Sequence, residues 1–85
     1  AGLAKSLALE NAARGITVNC VCPGLIESRQ TRNMTEDERE RLAGLVPMRR
    51  MGRPEEVARL IAFLASDQAA YITGQEFHID GGLSI

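Results

Sequence analysis

Residues 16–28 read ITVNCVCPGLIES. A run of strand-forming residues, Ile16 to Cys22, stops at Pro23-Gly24, and an apolar pair, Leu25-Ile26, follows before the hydroxyl of Ser28. In an extended chain alternate side chains share a face, so Ile16, Val18, Cys20 and Cys22 lie on one side and Thr17, Asn19 and Val21 on the other. Neither face carries a charge. Such a run suits a parallel sheet covered on both sides. Ligands of open α/β sheets bind outside the carboxyl ends of the strands, and Pro23-Gly24 marks such an end. Proline fixes the direction of exit, and glycine lets backbone come close to a ligand.

Upstream, AGLAKSLALENAARG reads as a helix with Leu3, Leu7 and alanines on its apolar face, and Gly15 stops it. No capping residue precedes it, so the helix is expected to continue upstream of Ala1. Downstream, Thr35 with Glu38 three residues later has the form of a capping box and opens a charged surface helix over TEDERERLAGLV. PMRRMGRP reads as a loop, with Arg49, Arg50 and Arg53 solvated beside Glu55 and Glu56. PEEVARLIAFLAS is the clearest helix. Pro54 suits its first turn, and Val57, Leu60, Ile61 and Leu64 form one stripe, expected to be buried. A second short strand spans Gln75 to Asp80, ended by a turn at Gly81-Gly82 rather than by a metal or phosphate loop.

Helix, strand, surface helices, helix, strand is the alternation of an α/β layer architecture. Two strands, however, do not make an independently stable parallel sheet. The 85 residues read as the end of a larger domain.

Composition narrows the function classes. Net charge is −1, with 10 basic and 11 acidic residues, which makes no electrostatic case for nucleic acid or an anionic membrane. There is no apolar run of the ~20 residues that a membrane span needs. Cys20 and Cys22, the 2 cysteines, are neighbours on one strand face, poorly placed to bond each other. They read as buried, reduced thiols of a cytoplasmic protein, and no metal site is expected. His78, alone among apolar neighbours, reads as an edge or interface residue. Met34, Met48 and Met51 are pocket-lining or gap-filling residues.

Three landmarks, RGITVN-x-V-x-PG, GRPEEVA-x-x-x-x-FLAS and YITGQ-x-F-x-x-DGG, lie in this order across almost the whole chain. In this they resemble the C-terminal third of the short-chain dehydrogenase/reductase family, closest to its 3-oxoacyl-acyl-carrier-protein reductase-like subgroup. The resemblance implies a Rossmann-type, doubly wound parallel sheet of which residues 1–85 supply the last two strands and flanking helices. The Gly-rich cofactor turn, the catalytic Ser and the Tyr-x-x-x-Lys pair would all precede Ala1. Tyr71 has Gln75, not Lys, four residues on, and does not take the catalytic role.

The resemblance further implies that NAD or NADP is the cofactor and that Pro23 and Gly24 line its nicotinamide end. The backbone of Ile26 would hydrogen-bond the carboxamide. Ser28 stands where many relatives have threonine, near the carboxamide and diphosphate. The expected parent is an oxidoreductase that interconverts a small-molecule carbonyl and alcohol, assembled as a homotetramer, with a substrate lid around Leu25–Val46. The alternative is a truncated, non-catalytic product acting at most as an oligomerisation or interaction segment. On either reading the 85 residues alone are expected to show no turnover.

Overall fold

The computed structural model describes residues 2–85. Helix α1 spans Gly2–Asn11 and passes into a 3-10 turn, Ala12–Arg14. Gly15, at φ 74°, closes it by donating its N–H to the Ala12 carbonyl. A residue with a Cβ resists that left-handed conformation, which is why the glycine stops the helix where the sequence places the stop.

Strand β1 is shorter than expected and shifted, spanning Cys20–Pro23 rather than Ile16–Cys22. The missing part is held by a second strategy. The Val18 N–H donates to Thr73 Oγ1, the Gly74 N–H to the Val18 carbonyl, and the Asn19 amide both donates to the Ile72 carbonyl and accepts from the Gln75 N–H. Asn19 side-chain bonds replace ladder bonds, so pairing begins only at Cys20. Strand β2, Glu76–Ile79, then runs parallel to β1 in the register Cys20–Glu76, Val21–Phe77, Cys22–His78, Pro23–Ile79.

Between β1 and α4 (Pro54–Leu64) lie two further helices, α2 (Arg29–Arg32) and α3 (Glu36–Gly44). The expected Thr35 cap is present: Thr35 Oγ1 accepts from the Glu38 N–H. The start of α4 is tied by Glu56, which accepts from the Arg53 N–H at 2.9 Å and from Arg50 through both carboxylate oxygens at 2.8 and 2.9 Å. Arg50 is therefore not the freely solvated loop residue that its sequence neighbourhood suggests.

Among the described residues few are buried: Ala8, Val46, Met51 and Ala69. The stripe of α4 does not reach burial, for Ile61 is 51% exposed and Val57, Leu60 and Leu64 are half-buried. Cys20 and Cys22 are likewise half-buried free thiols rather than buried ones. The common reason is that α1 packs on the turn after it, α4 on its own following turn, and the two strands on each other. The chain measures 50 × 22 × 19 Å with a radius of gyration of 15.7 Å. A compact domain of this length would have about 12 Å. It exposes 6403 Å², where a compact protein of its mass exposes about 4,900 Å².

Candidate functional site at the carboxyl ends of the strands

The turn after β1 is built by a close crossing with the end of β2. The Gly24 N–H donates to the Ile79 carbonyl at 3.2 Å. A Cβ on Gly24 would lie 2.5 Å from Asp80 Cβ and 3.0 Å from Asp80 Cα, so only glycine permits this approach. Asp80 is fixed in turn. Its carboxylate accepts the N–H groups of Gly82 and Ser84 at 3.0 and 3.2 Å. The Ser84 hydroxyl, with these backbone bonds, holds its pKa below the usual value. The Asp80-Gly81-Gly82 segment is thus a self-capped strand-ending turn, as its sequence indicates.

Beyond Gly24 the chain makes one isolated parallel bridge, Ile26 to Gly52. The Gly52 N–H donates to the Leu25 carbonyl and the Glu27 N–H to the Gly52 carbonyl, both at 2.9 Å. In such a bridge the groups of the flanking residues are used and those of the central one turn away. Accordingly, among the described residues neither the N–H nor the C=O of Ile26 has a backbone partner. A donor and an acceptor, three bonds apart on one half-buried residue, face away from the bridge just past the end of β1.

Ser28 has a structural task. Its Oγ accepts the Thr31 N–H at 3.4 Å, while Thr31 Oγ1 accepts the Ser28 N–H at 2.7 Å, a reciprocal cap on α2. An oxygen that accepts this bond still carries its own proton to donate. Ser28 and Pro23 are exposed, Gly24 and Ile26 half-buried. The four candidate residues thus occupy one continuous turn. Only Ile26 also lines the large cleft of about 610 Å³ that opens against His78, Asp80, Met48 and the Arg50–Glu56 pair.

Sequence reading missed three participants. Gly52 pairs with Ile26 from 26 residues away. Arg39 reaches Glu27 Oε1 at 3.2 Å and the Thr31 carbonyl at 2.8 Å. Helix α2 was also missed, although Ser28-x-x-Thr31 carries the signal of two reciprocal hydroxyl caps. His78 stands opposite Cys22 in register, yet among the described residues no group of three or more His, Cys, Asp or Glu could hold a metal ion. The Cys20 and Cys22 sulfurs lie 3.8 Å apart, beyond disulfide bonding distance. The hydrogen bond between the two thiols is the main cause that pushes the Cys22 thiol pKa up, with desolvation and the Cys20 charge adding to it.

A parallel strand pair, helices before β1 and between β1 and β2, and a glycine-crossed turn with free backbone groups at the carboxyl end make up part of an open α/β sheet, and the carboxyl end is where such sheets bind ligands. Residues 1–84 match the family described as enoyl-(acyl carrier protein) reductase. The chain belongs to this family, a group of short-chain dehydrogenases/reductases, as its landmarks indicate. It is 52% identical over 82 residues to the 3-oxoacyl-[acyl-carrier-protein] reductase FabG of Escherichia coli (strain K12), with 96% of this chain and 34% of that protein covered. It is 51% identical over 84 residues to Nodulation protein G of Rhizobium sp. (strain N33), covering 99% of this chain and 34% of that protein. The solved structure of YwfH, an NADPH dependent reductase involved in bacilysin biosynthesis, superposes with a TM-score of 0.88 at 39% identity. That match covers 96% of this chain and 35% of YwfH. The chain spans about a third of the length of these relatives.

Proposed function

We propose that residues 1–85 are the C-terminal segment of a single Rossmann-type domain, and that the whole protein is an NAD(P)-dependent oxidoreductase interconverting a carbonyl and an alcohol. The observation that carries this reading is the free N–H and C=O of Ile26 beside the close crossing of Gly24 and Asp80. A nicotinamide carboxamide offers one acceptor and one donor, the complement of that backbone pair. Gly24 presents no side chain there, Leu25 and Ile26 screen the position from water, and Ser28 keeps a hydroxyl proton for the carboxamide or diphosphate.

When bound, the cofactor would supply hydride-transfer chemistry, and reduction of a carbonyl would also need a proton at its oxygen. By family resemblance a Tyr lowered in pKa by a Lys provides that proton, with a Ser on the carbonyl, all from residues preceding Ala1. What this chain contributes is position: a fixed carboxamide orients the nicotinamide ring, and orientation is a large part of such a rate enhancement. The names of the relatives make a 3-oxoacyl thioester the first substrate to test.

The test uses the whole protein. Titration with NAD and with NADP, and with the 3-acetylpyridine analogue of whichever binds, which keeps the carbonyl and lacks the NH₂ donor, should show weaker binding of the analogue by roughly fivefold to tenfold. Equal affinities would remove the carboxamide role of Ile26. Failure to bind either nucleotide would remove the oxidoreductase reading.

A second reading has its own observation. With Ala8, Val46, Met51 and Ala69 as the buried residues among those described, the 85-residue chain by itself has little core, and alone it would serve at most as an interaction segment. Carbonyl-dependent oxidation of NAD(P)H by the isolated segment, above a heat-killed control, would overturn that.

A further inference from the structure

The excursion between Ile26 and Gly52 leaves and returns at one bridge, so its two ends are pinned together. Its returning limb is docked. Val46 and Met51 are buried, and the Met48 N–H donates to the Gly81 carbonyl at the exit of β2. The outgoing limb is not. Neither α2 nor α3 buries a single residue. Segments with so little apolar burial open easily, and what holds them is polar.

Among the described residues, every hydrogen bond that joins α3 to the Glu27–Arg32 segment comes from Arg39. Its Nη1 donates to the Thr31 carbonyl at 2.8 Å and its Nη2 to Glu27 Oε1 at 3.2 Å. A guanidinium can make both bonds at once because its donors form a rigid fork. Glu27 sits between the two candidate cofactor residues Ile26 and Ser28 in the chain. A small cavity of about 220 Å³ lined by Glu27, Arg39, Arg50 and Met51 lies beside this contact. Arg50 on its far side is paired through both nitrogens with Glu56 of α4. Arg39–Glu27 and Arg50–Glu56 are two separate ion pairs, and Arg39, Glu27 and Arg50 all line this cavity. An isolated exposed pair contributes little, but here one guanidinium holds a carboxylate and a backbone carbonyl at once.

We propose that Arg39 is a positioning residue: its guanidinium latches α3 to the Glu27–Thr31 segment and so sets how the Ile26–Gly52 excursion lies over the turn at Pro23-Gly24. The latch stands on the geometry alone, while its consequence for cofactor binding rests on the function proposed above. Releasing the latch frees α2 and α3, and with them the Glu27 flank of Ile26. Cofactor affinity falls through lost pre-organisation rather than lost contact.

The experiment compares whole-protein wild type, Arg39→Lys and Arg39→Ala, by amide hydrogen exchange over residues 29–44 without ligand and by NADP titration. Arg39→Ala should speed exchange over this stretch by about twofold to fivefold and weaken NADP by a similar factor. Arg39→Lys, which keeps the charge but not the fork, should fall between. High salt should loosen wild type and leave Arg39→Ala unchanged, a response that lost packing would not produce. Should Arg39→Ala not fold, the salt response of wild type and the lysine variant carry the same test. Exchange unchanged in both variants and insensitive to salt would overturn the latch. Loosened exchange in a protein that binds neither NADP nor NAD would uphold the latch and remove the oxidoreductase reading. Loosened exchange with unaltered NADP affinity would overturn the coupling of latch to cofactor.

Discussion

Gly24 carries the most severe single-residue constraint in the site. An added methyl at 2.5 Å meets Asp80 Cβ and, at 3.0 Å, the Asp80 backbone. Neither is the movable end of a flexible side chain, so relief requires β1 and β2 to part at their carboxyl ends. Gly24→Ala should cost about 1–3 kcal/mol, read as a lower midpoint in urea unfolding of the whole protein. A midpoint unchanged from wild type would show that the crossing relaxes freely. Glu56 makes a pH prediction. Its bonds from Arg50, then from the Arg53 N–H, lower its pKa from 4.5 to about 2. The folded value lies below the ordinary one, so the pair's stabilisation is fully present above about pH 4.5 and is lost as pH falls through about 2. A carboxyl-carbon NMR titration of Glu56 should therefore show no midpoint near pH 4, and one there would refute the pairing. Cys22 shifts the other way: the Cys20 bond raises its pKa, and the thiolate is the reactive form. At pH 7 Cys22 should alkylate more slowly with iodoacetamide than a free cysteine does.

At the scale of elements, helices α2 and α3 depend on their caps. Removing the Ser28 hydroxyl by Ser28→Ala leaves the Thr31 N–H without its side-chain acceptor and should cost about 1 kcal/mol locally. The Thr31 amide should then exchange faster with solvent, while amides of α4 do not change. Helix boundaries were legible because their signals are local. Gly15 after α1, Thr35 before α3 and Pro54 at the start of α4 each act on the adjoining turn. The first strand was less legible. Ile16 to Asn19 have strand-forming character, yet the Asn19 amide and Thr73 hydroxyl take over the bonds that a ladder would make. That substitution depends on a segment more than 50 residues away in the chain.

At the scale of the molecule, surface is the main finding. With 6403 Å² exposed against about 4,900 Å² for a compact protein of this mass, large apolar side chains remain in contact with water. Leu3, Leu9, Ile61 and Tyr71 are 74%, 81%, 51% and 103% exposed. Large apolar side chains left in water at this number favour association with other surfaces. The 85-residue chain alone should bind a dye of exposed apolar surface and unfold over a broad range of urea. A single sharp transition without dye binding would show that it is self-sufficient.

The sequence by itself determined the α/β class, the stop of α1, the starts of α3 and α4, the position of the turn at Pro23-Gly24 and membership of the reductase family. Periodicity, capping and ordered landmarks are written within a few residues of where they act. Only the tertiary structure decided that Gly24 crosses Asp80, that Ile26 bridges Gly52 with its own N–H and C=O turned away, and that Arg39 reaches Glu27. It also decided that the α4 stripe and the cysteine pair are half-buried rather than buried. Each of these depends on which distant segments the chain brings together and how much surface they cover, and residue type alone does not encode that distance.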